Sequence, residues 1–113
     1  MKRDLFKGDL PVLIMAVLAE SPCHGYAIAR EIERRSDGSL GVKEGALYPA
    51  LRVLETNGWI EGSWQEQTGT PARKIYKLTQ SGQAELEKSA SAWRRYAASF
   101  EQVLGKGGKH EPA

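Results

Sequence analysis

The chain has one cysteine, Cys23, and two histidines in 113 residues. A single cysteine excludes a disulfide framework, and no Cys/His pair stands at metal-ligand spacing. Cys23 reads as a small core residue of a protein held in a reducing cytoplasm. Long hydrophobic runs are also missing. The longest, Leu10 to Leu18, is well short of the roughly 20 apolar residues that a bilayer crossing needs. It leads through Ala19-Glu20 into more amphipathic helix, without the small-residue pattern of a cleaved signal. No membrane partner is expected. Charge of one sign is scarce too, with 16 Lys and Arg against 14 Asp and Glu. So even a balance suits a polyanionic partner only where the basic groups cluster. There is no phosphate-cradling glycine loop and no metal motif. His24, at a helix start, reads as a cap rather than a base, and His110 lies in the tail. A chain this short has little room for a closed site. These absences argue against an enzyme and call for no cofactor.

What the chain does have is helical periodicity followed by two short strands. Asp9 is a natural N-cap, with Pro11 in the first turn, for a helix running to about Ala19. Its apolar residues lie nearly all round, so it should be central. Ser21-Pro22 ends it. A second helix starts near His24-Gly25-Tyr26 and runs to about Arg35, with Tyr26, Ile28, Ala29 and Ile32 as its inner stripe. Ser36 to Ser39 is a turn cluster, and Leu40 and Val42 form a short strand or an extended linker. A third helix covers about Lys43 to Thr56, where Leu47, Ala50, Leu51 and Leu54 follow the i, i+3, i+4, i+7 pattern. Asn57-Gly58 stops it. Strands follow at about Ile60–Gln65 and Arg73–Leu78, joined through Thr68-Gly69-Thr70-Pro71. Thr79 then caps a long helix from Gln80 to about Leu104, which Gly105 and its neighbours break.

This order predicts a mainly α fold with a small two-stranded antiparallel wing: a winged helix-turn-helix plus a long C-terminal dimerisation helix. The expected organisation is a flexible start over residues 1–8, a DNA-binding domain over 9–79, a dimerisation helix over 80–104 and a disordered tail over 105–113.

The third helix is the expected recognition helix, because its apolar stripe faces inward and its other face is free. Lys43 sits at its start, where the helix dipole also favours a phosphate. Tyr48 offers a hydroxyl to a phosphate, or packs its ring on the second helix. Arg52, one turn on, reaches toward a base edge or phosphate, or pairs with Glu55. On the wing, Arg73 and Lys74 lie nearest the loop and are the expected cationic contacts, whereas Lys77 is deeper and reads as a solvated edge charge. The partner these residues suit is double-stranded DNA.

Leu86, Ala90, Trp93, Ala97, Phe100 and Leu104 are spaced four, three, four, three, four, the pattern of a heptad seam. Either the helix folds back on its own domain, or a second copy covers the seam through the same helix or the first helix and makes a homodimer with a pseudo-palindromic site. Trp93 is either an anchor of that interface or the wall of a pocket that stacks on a planar ligand. The alternative to DNA binding is a winged helix used only for protein association.

Several blocks in order resemble the PadR family of bacterial transcriptional regulators. They are Leu10-Pro11-Val12-Leu13-Ile14, His24-Gly25-Tyr26-Ala27-Ile28, Gly45-Ala46-Leu47-Tyr48-Pro49-Ala50-Leu51, Leu54-Glu55-Thr56-Asn57-Gly58-Trp59-Ile60, and Arg73-Lys74-Ile75-Tyr76-Lys77-Leu78-Thr79 with Gly82. The single short C-terminal helix is similar to the smaller branch of that family. The resemblance implies a homodimeric repressor of a palindromic operator, dimerised through the C-terminal helix with the first helix. It also implies a phosphate-binding tyrosine and a basic wing, at Tyr48, Arg73 and Lys74. Sensing of small planar aromatic effectors at the dimer interface, as in some members, would suit Trp93. One departure is at the start of the third helix, where Lys43-Glu44 replaces the small hydroxyl residue common in the family.

Overall fold

A computed structural model of the chain describes residues 3–4 and 8–108. Along the chain lie β1 (Arg3–Asp4), α1 (Asp9–Leu18), β2 (Cys23–His24), α2 (Gly25–Arg35), β3 (Leu40–Gly41), α3 (Glu44–Thr56), β4 (Ile60–Gln67), β5 (Thr70–Leu78) and α4 (Gln80–Gly108). The predicted architecture is present: helices first, then an antiparallel hairpin, then a long helix.

α1 is the central helix, and none of its residues is exposed. Leu10, Ile14, Met15, Val17 and Leu18 are all buried. Its N-cap is Gly8, not Asp9, and makes no side-chain capping bond; Asp9 lies in the first turn. A carboxylate there still favours the positive end of the helix dipole.

α2 buries Gly25, Ile28 and Ile32. Tyr26 does not share that stripe, and is 65% exposed. It precedes Ile28 by two residues, which at about 100° per residue puts it nearly opposite. His24 holds the N-cap position but makes no capping bond through its side chain. α3 buries Leu47, Leu51 and Leu54, and Lys43 is its N-cap rather than its first helical residue. The stop at Asn57-Gly58 works as expected. Gly58 takes a φ of 76°, and the N–H groups of Gly58 and Trp59 donate to the carbonyls of Glu55 and Leu54. This left-handed turn closes the helix and aims the chain into β4.

β4 and β5 pair antiparallel from Ile60↔Leu78 out to Gln67↔Thr70, with an irregularity between Gln65 and Gln67. They extend further toward the loop than predicted. A third strand was also missed: β2 pairs antiparallel with β5, through Cys23↔Tyr76 and His24↔Ile75. β5 is therefore the middle strand of a three-stranded sheet, not one edge of a two-stranded wing. Two residues are too few for alternation to show in sequence. Leu40 proves to be in a strand, because β3 pairs in parallel with β1. That pairing involves part of the expected flexible start; residues 1–2 and 5–7 lie outside the described residues.

The core joins α1, α2 and α3 with Ile60 and Tyr76 of the sheet. Among the described residues it contains no buried polar or charged side chain. Cys23 packs beside it, and burial pushes its thiol pKa up. Thr79 caps α4 as predicted, its Oγ1 accepting from the N–H of Gly82 at 3.0 Å. The first part of α4 packs on α1. The helix does not stop at Leu104 but runs through Gly105 to Gly108; a helical glycine costs only about 1 kcal/mol against alanine. Residues 109–113 of the expected tail, with His110, lie outside the described residues. At 29 residues, α4 is roughly 44 Å long and accounts for most of the 66 Å long dimension. Among the described residues, no helix is long and apolar enough to cross a membrane.

Candidate nucleic-acid interface

The inward turn of Leu47, Leu51 and Leu54 leaves the opposite face of α3 in solvent. Tyr48 and Arg52 are exposed on it, and Lys43 is exposed at the N-cap of the helix. Tyr48 packs its ring on the second helix while staying partly in solvent. It is 41% exposed, yet its ring rests against the start of α2, where a Cβ on Gly25 would lie 3.2 Å from Tyr48 Cε1. Arg52 does not pair with Glu55, which is bonded to Lys74 instead. Its charge acts on Tyr76, whose hydroxyl pKa is raised by burial while Lys74 and Arg52 oppose the shift.

A cleft of about 1030 Å³ separates the start of α2 from the wing, and Tyr48, Arg73 and Lys74 line it together. Lys43 and Arg52 stand outside its lining. Arg73 is exposed on β5. Lys74 is held differently: its Nζ donates to Glu55 Oε1 at 3.1 Å and lies 5.8 Å from the Trp64 ring centre and 5.4 Å from that of Tyr76. Lys77 pairs with Glu61 at 3.6 Å with both side chains in solvent, a solvated charge as expected, though on the middle strand and not an edge.

Residues of α2 that sequence reasoning did not assign to this face also line the cleft. Arg30 lies over the Tyr26 ring at 5.8 Å, and Arg34 is nearby. The signal was available: Tyr26, Arg30 and Arg34 recur every four residues, opposite the buried stripe. Glu31 accepts from Arg34 at 2.6 and 3.0 Å and from Arg35 at 2.8 Å. Those two guanidinium groups hold its carboxyl down at about 2. His24 Nε2 is buried without a hydrogen-bond partner. Among the described residues, no cluster of His, Cys, Asp and Glu could hold a metal.

At the far end of the molecule, the seam divides. Leu86 packs against its own core, and Ala90 is half-buried. From Trp93 onward the large residues of the stripe face solvent: Trp93, Phe100 and Leu104 are exposed, with Ala97 half-buried between them. Tyr96 and Val103, not included in the predicted seam, are exposed beside it, and the Tyr96 and Phe100 rings stack at 6.1 Å. Each precedes a seam residue by one and they are seven apart, so they widen the same stripe.

A three-helix core, a hairpin wing and an outward-facing third helix define a winged helix-turn-helix protein with a C-terminal helical extension. The model of the "Transcriptional regulator PadR-like family" matches residues 14–88, and the chain belongs to that family of non-enzymatic transcriptional regulators. It is 34% identical over 79 residues to a Mycobacterium tuberculosis protein named "Probable transcriptional regulator Rv1176c", a match covering 70% of this chain but 42% of that relative's length. Among solved structures, a PadR family transcription regulator from Clostridium difficile R20291 is 33% identical with a TM-score of 0.72, covering 83% of this chain and 96% of the other. A transcriptional regulator from Clostridium thermocellum is 26% identical with a TM-score of 0.80, covering 87% and 92%.

Proposed function

We propose that this regulator is a cytoplasmic repressor that binds a pseudo-palindromic DNA operator as a homodimer. The observation that carries this reading is the placement of Tyr48 and Arg73 along one cleft, beside an α3 face that also presents Lys43 and Arg52. α3 enters the major groove, with Lys43 and Tyr48 on phosphates and Arg52 at a base edge or the next phosphate. The wing reaches the adjacent backbone through Arg73. Phosphate contacts dominate affinity and make it fall steeply with salt.

The second copy covers the apolar stripe of α4 from Trp93 to Leu104, together with part of α1. A small planar aromatic effector fits the same interface by stacking on Trp93, which is 56% exposed in the single chain.

The test is titration of the DNA upstream of the chain's own coding sequence at several salt concentrations. Arg73→Ala should weaken binding and reduce the slope of log affinity against log salt by about 1.8, two phosphate contacts of about 0.9 each, one from each protomer of the dimer. The dimer, followed by sedimentation, should be unchanged. Binding that keeps both affinity and slope at moderate salt would remove Arg73 from the interface. A wild-type chain that dimerises but never retards DNA would favour a protein-association role.

A further inference from the structure

The sequence makes Lys74 an expected second phosphate contact of the wing, and its surroundings support a different reading. In the β4–β5 register Trp64 faces Lys74 and Gly62 faces Tyr76, so these four residues share one face of the hairpin. Lys74 is flanked by the Trp64 and Tyr76 rings, and its diagonal neighbour is Gly62. Its side chain runs over that glycine to Glu55 on α3. A Cβ at Gly62 would collide with Lys74 Cε and lie 2.9 Å from Glu55 Oε2 and 3.2 Å from Tyr76 Cε1. The missing side chain is therefore what opens the channel. Both members of the pair are largely covered, at 28% and 29% side-chain exposure, whereas Arg73 one residue earlier is exposed.

We propose that Lys74, laid across Gly62 and bonded to Glu55, is a strut that fixes the wing's angle to the recognition helix. It is a positioning residue for DNA binding and not itself a phosphate contact. This inference rests on the DNA-binding reading above. Glu55 lies in the last turns of α3 and Lys74 is in the middle strand of the sheet, so one ion pair links the two elements that must meet the duplex together. Its effect is on alignment: the strut holds the hairpin at the tilt at which Arg73, adjacent in sequence, meets its phosphate, and a variant without it still makes that contact but must first order the wing.

The probe is a labelled duplex of the upstream DNA, titrated against an excess of mixed-sequence duplex at several salt concentrations. The proteins are wild type, Lys74→Met, Glu55→Gln, the double variant and Gly62→Ala, each checked for folding by thermal melting. The strut predicts that Lys74→Met and Glu55→Gln each weaken binding, roughly fivefold, the scale of substitutions that act without touching ligand. The salt slope should stay at its wild-type value, and the double variant should be no worse than either single one. Gly62→Ala should match Lys74→Met although no charge changes. If Gly62→Ala does not fold, the sign for Glu55→Gln still decides. A direct phosphate contact requires the opposite pattern: Lys74→Met lowers the slope by about 1.8, one contact of about 0.9 from each protomer, and Glu55→Gln tightens binding by freeing the ammonium and removing a repelling carboxylate. That pattern, or wild-type binding by all the variants, would overturn the strut. A wild-type chain that fails to bind the duplex at all would instead sink the DNA-binding reading.

Discussion

At the residue scale, the informative positions are those where one atom decides a packing arrangement. A Cβ on Gly82 would collide with the Trp59 carbonyl oxygen, which accepts from the Thr79 N–H, and would lie 2.8 Å from Leu78 Cδ1. The obstacle includes fixed backbone, so the helix start must shift. Gly82→Ala should cost about 1–3 kcal/mol, measured by denaturant unfolding; a loss under about 0.5 kcal/mol would show that α4 can be displaced cheaply. Glu31 provides a pH signature. Its carboxyl is held at about 2 against an ordinary 4.5, chiefly by hydrogen bonds from Arg34 and then Arg35. A depressed pKa adds stability that is full above about 4.5 and disappears as the pH falls through about 2. Wild type should therefore melt slightly higher than Glu31→Gln at pH 7, and the gap should close between those two values. A gap independent of pH would point to packing rather than charge. Of these residue-level facts the sequence revealed the Thr79 cap, because capping is local. It did not reveal the Lys74–Glu55 pair, which spans 19 positions and depends on strand register.

At the element scale, long periodic segments were legible and short ones were not. The three core helices and α4 lie close to their predicted spans, because each carries several turns of apolar periodicity. β1 and β2 have two residues each, so no local pattern could reveal them, and β3, equally short, was legible only as one of two readings of Leu40 and Val42. Tyr26 was misplaced because an aromatic near an apolar run looks like core until the helix phase is counted from Ile28 and Ile32. On α4, the stripe widened by Tyr96 and Val103 is exposed in one chain, and the second copy proposed above would bury it. Phe100→Glu should place a charge there and convert a dimer to monomer in sedimentation, with the melting of the winged helix little changed. A Phe100→Glu protein that remains dimeric would move the interface off this stripe. The proposed effector has its own readout. Planar aromatic compounds should quench tryptophan fluorescence, and Trp93→Ala should abolish the quenching; quenching that survives would move the site to Trp59 or Trp64.

At the scale of the whole molecule, the candidate DNA face and the α4 stripe belong to different parts of an elongated chain. The α3 face, the cleft and the wing occupy the globular part, while the stripe runs along the free end of a roughly 44 Å helix. A twofold axis at that helix would hold two copies of the DNA face at a fixed separation, so affinity and spacing would both depend on the dimer. One copy offers few exposed cations on that face, and two copies acting together supply what one lacks. Hydroxyl-radical footprinting of the purified protein on the DNA upstream of its own coding sequence tests this most directly. The account predicts two protected patches related by twofold symmetry, with their centres separated by about 10 base pairs or a multiple of that. A single patch without a symmetry mate, or no protection where the protein is fully dimeric, would contradict it.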